Sequence, residues 1–102
     1  LAGTEPPTDT IEITAYHQTR LLYPMDQMMV ALDPDIPPKR QRIFFAVQEP
    51  QPGFALRLNG KLLAQARDRI AWQPRPGRHR LELVSAQGRI VDHVTFQVRG
   101  RE

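Results

Sequence analysis

The chain has 102 residues, 40% hydrophobic and 25% charged, with a net charge of +3, ten prolines, six glycines and no cysteine. That length suits one domain burying roughly two thirds of its unfolded surface. The absence of cysteine rules out disulfides and thiolate metal sites, scattered Pro and Gly rule out long helices, and no run approaches the roughly 18 apolar residues of a membrane-crossing helix.

The sequence starts at Leu1 and shows no signal peptide, so it is expected to be a processed product or a piece of a longer protein. Residues 1–10, LAGTEPPTDT, are small, polar and aperiodic, as in a linker tail or a cut end. The folded domain is expected over 11–102. IEITA alternates Ile11, Ile13 and Ala15 against Glu12 and Thr14, a short strand. RLLYP follows as another strand, stopped by Pro24, and MMVAL fits a strand or a turn of helix, of which the prolines of DPDIPP after it make the strand the safer reading. QRIFFAV is β-branched and aromatic on both parities and marks a buried strand.

After the QEPQPG loop, Phe54, Leu56 and Leu58 alternate with Ala55 and Arg57, and Asn59-Gly60 supplies the two positive-φ residues of a tight hairpin turn before KLLAQ. RIAWQP puts Ile70 and Trp72 on one parity and ends at Pro74. From Arg78 to Ser85, His79, Leu81 and Leu83 share one parity while Arg78, Arg80 and Glu82 take the other. Gln87-Gly88 turns the chain, and Ile90, Val94, Phe96 and Val98 then fall on one face. A period of two across both segments means a β-hairpin with one side in the core. The arginines fall on the solvated side because their neighbours are needed inside.

Seven to nine short strands with turn chemistry between them predict an all-β fold, an immunoglobulin-like antiparallel β-sandwich without a disulfide. Leu56, Leu58, Ile70, Trp72, Leu81, Leu83, Val94, Phe96 and Val98 are its expected core.

The chemistry-bearing residues are sparse. Ser85 is the single serine, in SAQG, with no lysine three residues on and no glycine-flanked elbow; it reads as a turn residue rather than a nucleophile. His17, His79 and His93 form no pair at metal-ligand spacing. Asp26, Asp33 and Asp35 lack the glycine and further acids of a calcium loop, so side-chain-capped turns explain them better. No catalytic, cofactor-binding or metal residue is therefore expected.

Twelve of the fourteen cations are arginine. Arg57, Arg75, Arg78, Arg80 and Arg89 suggest a basic stripe on one sheet, of which Arg57, Arg78, Arg80 and Arg89 are the candidate surface-binding residues. Glu82 interrupts it and no aromatic is interleaved for base stacking, so a solvated face is the better reading and no nucleic acid is expected as a partner. An anionic-polymer binder using these arginines would lose affinity steeply with salt. A sugar platform needs exposed aromatics, which leaves Tyr16, Tyr23 and one of Phe44 or Phe45 in question.

Several quoted segments together carry a resemblance: RLLYPMDQ…ALDPDIPP, then FALRLNGKLL, then AWQPRPGRHRLELVSAQGRIVDHVTFQV. Tyr23-Pro24, Asn59-Gly60, Trp72-Pro74, Gly77-His79-Leu81, Gly88-Arg89 and Phe96-Val98 match in order the pattern of one family, and the stretch from Trp72 to Arg89 is the most specific part. Over residues 20–99 the chain resembles the C-terminal domain of bifunctional penicillin-binding proteins of the 1C type. It departs from the pattern at Ser85-Ala86-Gln87, where the family often has an aspartate.

The resemblance implies a parent anchored in the inner membrane of a Gram-negative bacterium, with its bulk on the periplasmic side. One domain of such a parent polymerises lipid-linked glycan and a penicillin-sensitive serine domain cross-links its peptides. The C-terminal domain would be a non-catalytic appendage without cofactors. Consistently, Lys39 and Lys61 stand in neither a Ser-x-x-Lys nor a Lys-Thr-Gly motif. Its expected partners are the transpeptidase domain of the same chain, other cell-wall synthesis proteins, or peptidoglycan itself, and membrane contact would come only through the parent's anchor. A carbohydrate-binding module is the alternative.

Overall fold

Alternation of buried and exposed side chains, visible in the sequence, is what the strands obey. The computed structural model describes residues 19–100. The tail at 1–10, the strand expected at 11–15, Tyr16 and His17 lie outside the described residues. Within them run eight strands: β1 (Arg20–Tyr23), β2 (Met28–Ala31), β3 (Ile43–Gln48), β4 (Ala55–Leu58), β5 (Lys61–Gln65), β6 (Arg69–Trp72), β7 (Gly77–Val84) and β8 (Ile90–Arg99), with one 3-10 turn at Pro38–Arg40. They form two sheets, ordered β1-β3-β6 and β2-β8-β7-β4-β5. The all-β sandwich is as expected.

Between the sheets, Phe45, Leu56, Leu81 and Leu83 are fully buried and Phe96 and Val98 are 1% exposed. Each such side chain contributes about 1.5–3 kcal/mol by leaving water. Seven of the nine residues expected in the core are buried, while Leu58 and Trp72 are only part-buried and pack against it. The β4–β5 turn is the tight turn expected, with φ of 53° at Asn59 and 84° at Gly60. The β7–β8 turn is closed by Ser85, whose Oγ accepts the backbone N–H groups of Gln87 and Arg89 at 3.3 and 3.2 Å.

Two local expectations are corrected. First, β2 pairs with β8 in parallel, Met28 opposite Phe96 through Ala31 opposite Arg99, whereas the other strand pairs are antiparallel. The chain leaves β1 in one sheet and joins the other along the free edge of β8. Asp26 Oδ1 accepts the Thr95 N–H at 2.8 Å and so fixes the register. Side-chain parity is the same for either strand direction, so alternation carries no signal for it.

Second, Ile90 was expected inside but is 46% exposed. A register shift sets Leu83 opposite Asp92 and Val84 opposite Ile90, which turns Ile90 outward. Asp92 uses this position to bridge the sheets, its Oδ2 accepting the Leu21 N–H at 2.9 Å.

Candidate functional site

The candidate arginines divide into a cluster and an outlier. Arg57 on β4 lies opposite Glu82 on β7, and Arg78 and Arg80 share that outward face of β7. Arg80 Nε donates to Glu82 Oε2 at 2.8 Å, and Arg57 Nη2 stands 3.3 Å from Glu82 Oε1. Arg57 Nε and Glu82 Oε1 are buried and make no hydrogen bond among the described residues, so the Arg57 contact is an ion pair without hydrogen-bond geometry. Arg89 sits apart in the β7–β8 turn.

Glu82 corrects the reading of a wholly solvated face, being only 7% exposed. It lies on a central strand, held between two long side chains whose apolar stems shield it. The stripe is therefore internally compensated at its middle, which weakens the case for a polyanion surface. Replacing Glu82 by alanine is expected to cost about 1–2 kcal/mol by urea denaturation. The cost falls between the ranges for exposed and buried pairs because both arginines are more than a third exposed and water takes over part of their solvation.

A different group of residues builds a concave site. Across the β4–β7 ladder, Asn59 Oδ1 accepts the Arg80 N–H at 2.9 Å and the Asn59 N–H donates to the Arg80 carbonyl at 2.8 Å. That fixes the amide so that Nδ2 donates to His79 Nδ1 at 3.0 Å. His79 Nε2–H then donates to the Arg75 carbonyl at 2.8 Å. Both ring nitrogens are used, in the Nε2–H tautomer. His79 is 8% exposed, buried where its parity with Leu81 puts it rather than near the sheet surface.

Trp72 stacks on Phe45 at 5.3 Å between ring centroids and meets His79 edge-on at 5.0 Å. Leu58, Asn59, Trp72, Gln73, Arg75 and His79 together line a cleft of about 350 Å³ where the β4–β5 turn approaches the β6–β7 connection. The sequence offered Asn59-Gly60 and Trp72 as separate signals. They meet at His79, which bonds to Asn59 across twenty residues and packs on Trp72, a pairing no local pattern encodes.

The aspartates singled out in the sequence have structural partners. Asp33 Oδ1 accepts the Asp35 N–H at 2.9 Å, the side-chain-capped turn expected. Gln41 clips that loop, donating from Nε2 to the Asp33 carbonyl at 2.8 Å and accepting the Asp33 N–H at 3.2 Å. Leu32, Pro34, Ile36, Pro74 and Pro76 line a second, apolar cleft beside it, of about 380 Å³. Among the described residues no three His, Asp or Glu side chains gather as a metal site.

Among the described residues the exposed aromatics of the sequence reading are Tyr23 and Phe44. Phe45 is fully buried, whereas Phe44 is 43% and Tyr23 37% exposed. A bulge after Leu21 sets Tyr23 opposite Ala46, on the outer face that Phe44 also occupies. Arg69 lies over the Phe44 ring at 4.4 Å.

A family model described as Penicillin-Binding Protein C-terminus Family matches residues 12–96. No curated protein matches the chain. Among solved structures, the fold is similar to that of the Clostridium thermocellum CbhA fibronectin(III)-like modules, with a TM-score of 0.58 and 11% identity, covering 82% of this chain and 99% of that one. At that identity the likeness shows the fold, a sandwich of the fibronectin and immunoglobulin kind.

Proposed function

The chain belongs to the Penicillin-Binding Protein C-terminus Family, the C-terminal domain of bifunctional penicillin-binding proteins, and from that premise we propose that it is a non-catalytic docking module. Its partner is a catalytic domain of its own parent, the transpeptidase domain first, on the periplasmic side of the inner membrane in cell-wall synthesis.

The observation that carries this reading is the outer face of the β1-β3-β6 sheet. Leu22, Tyr23 and Phe44 are 45%, 37% and 43% exposed there, around Ala46. Isolated exposed apolar side chains are ordinary, but a group with two aromatics on one sheet face has the composition of an interface core. Arg69 over Phe44 and Arg20 at the edge supply the cationic rim. The outer face of the other sheet instead carries the Arg57–Glu82–Arg80 cluster, charged and already paired.

The expected result is that this chain binds its parent truncated before the domain, and that Tyr23→Ser with Phe44→Ser weakens binding at least tenfold by calorimetry while leaving the unfolding midpoint nearly unchanged. Tenfold is about 1.4 kcal/mol, well below what a buried aromatic anchor carries. Binding that the double substitution leaves intact would remove this face from the account.

The second reading, a carbohydrate-binding module, is favoured by one specific observation, the cleft at Trp72.

A further inference from the structure

We infer that the cleft between the β4–β5 turn and the β6–β7 connection is a binding site for a sugar acid, with the pyranose ring against the indole of Trp72 and the carboxylate on the guanidinium of Arg75. This deepens the carbohydrate-binding reading and is independent of the docking face, which lies on the outer side of the three-stranded sheet.

Size and lining suit the ligand. At about 350 Å³ the cleft falls at the lower end of small-molecule sites, enough for one sugar ring with a substituent. An indole offers a broad apolar surface to the C–H groups of a pyranose, and its N–H offers a donor to a hydroxyl.

The polar groups fall into two sets. Asn59 and His79 spend their side-chain atoms on each other and on the Arg80 and Arg75 backbones, so they form the frame. The Gln73 amide, the Trp72 N–H and the Arg75 guanidinium carry no hydrogen bond or ion pair among the described residues. Arg57 and Arg80, by contrast, are both turned onto Glu82. No carboxylate lines the cleft, so a planar, fork-shaped cation stands there uncompensated beside free donors. A carboxylate is the group that such a fork binds in bidentate fashion. A simple aliphatic carboxylate would leave the indole and the Gln73 amide unused, whereas a sugar acid engages all three.

The site is also built to cost little on binding. Arg75 lies between Pro74 and Pro76, whose rings fix φ on both sides, and its carbonyl is tied to His79. Pro74 is itself buried. The backbone that presents the guanidinium is thus held before a ligand arrives, and less ordering entropy opposes association.

Trp72 is the only tryptophan of the chain, so its fluorescence reports on this cleft alone. The experiment titrates the intact chain with N-acetylmuramic acid and with N-acetylglucosamine, which share the ring and acetamido group and differ in the lactyl carboxylate. The expected result is a saturable change in emission with a preference of at least tenfold for the acid. Arg75→Gln is expected to abolish that preference without moving the unfolding midpoint, because the guanidinium supports nothing in the fold. Amide NMR shifts should be confined to residues 58–60 and 72–79. No response to either sugar, equal responses to both, a preference that survives Arg75→Gln, or shifts located elsewhere would each overturn the inference. Loss of the docking interaction with Tyr23→Ser and Phe44→Ser leaves this titration unchanged, so the two readings fail separately.

Discussion

Replacing Trp72 by alanine is expected to lower the unfolding free energy by about 3–5 kcal/mol, although the side chain is only part-buried. The cost arises from the ring cluster. Trp72 stacks on Phe45 at 5.3 Å and meets Phe96 edge-on at 5.9 Å and His79 at 5.0 Å. Phe45 and Phe96 are in turn 5.9 Å apart, and His79 lies 5.4 Å from Phe96. Each aromatic pair is worth about 0.5–1.5 kcal/mol beyond its area, and alanine removes three of them while opening a hole beside two buried phenylalanines.

A domain of this size has roughly 5–15 kcal/mol in total, so the loss is a large share of its stability. Urea denaturation followed by circular dichroism should show a lower midpoint with an unchanged slope. Trp72→Phe keeps a ring on Phe45 and should cost less than half as much. A midpoint that alanine leaves in place would mean the indole is not packed, and the cleft would lose its wall.

How far the fold was legible depends on what parity can encode. Leu81 and Leu83 were readable as core, and Arg78 and Arg80 as outward, because a strand offers each residue only one of two faces. Asn59-Gly60 was readable as a turn because few other pairs tolerate φ of 53° and 84° in succession. Parity fails where an extra residue enters a strand: Ile90 and Tyr23 both follow register shifts, and each lies on the face its spacing from neighbouring core residues would not give. It is also silent on strand direction, which is why the parallel seating of β2 on β8 had no local sign.

The site was less legible than the fold, for a related reason. Arg75 counted as one more member of a stripe until the Pro74-Arg75-Pro76 connection placed it at the cleft. Glu82 read as a break in the stripe, whereas the cross-strand position of Arg57 makes it the centre of an ion-pair cluster. Both assignments come from which residues face one another across strands, information distributed over the whole chain.

Asn59→Ala is expected to destabilise the domain by about 2–4 kcal/mol, an unusual sum for a residue exposed to solvent at a hairpin tip. Two contributions add. The first is the hydrogen bonds: Asn59 Oδ1 to the Arg80 N–H and Asn59 Nδ2 to His79 Nδ1. Each is worth about 0.5–1.5 kcal/mol, and His79 Nδ1 would be left as an acceptor on a buried ring. The second is backbone strain, because φ of 53° costs an alanine about 1 kcal/mol that asparagine largely avoids.

Asn59→Gly separates them, since glycine adopts that φ freely while losing the same bonds. It should fall about 1 kcal/mol short of the alanine effect, consistent with the strain being absent. Imidazole ¹⁵N shifts supply the structural readout. The wild-type chain and both variants should show His79 in the Nε2–H tautomer, which the Arg75 carbonyl still requires, but in the variants the Nδ1 signal should move to that of an acceptor without its amide donor. Unchanged ¹⁵N shifts in both variants would mean that Asn59 does not set the ring, and the rigidity ascribed to Arg75 through His79 would then need another source.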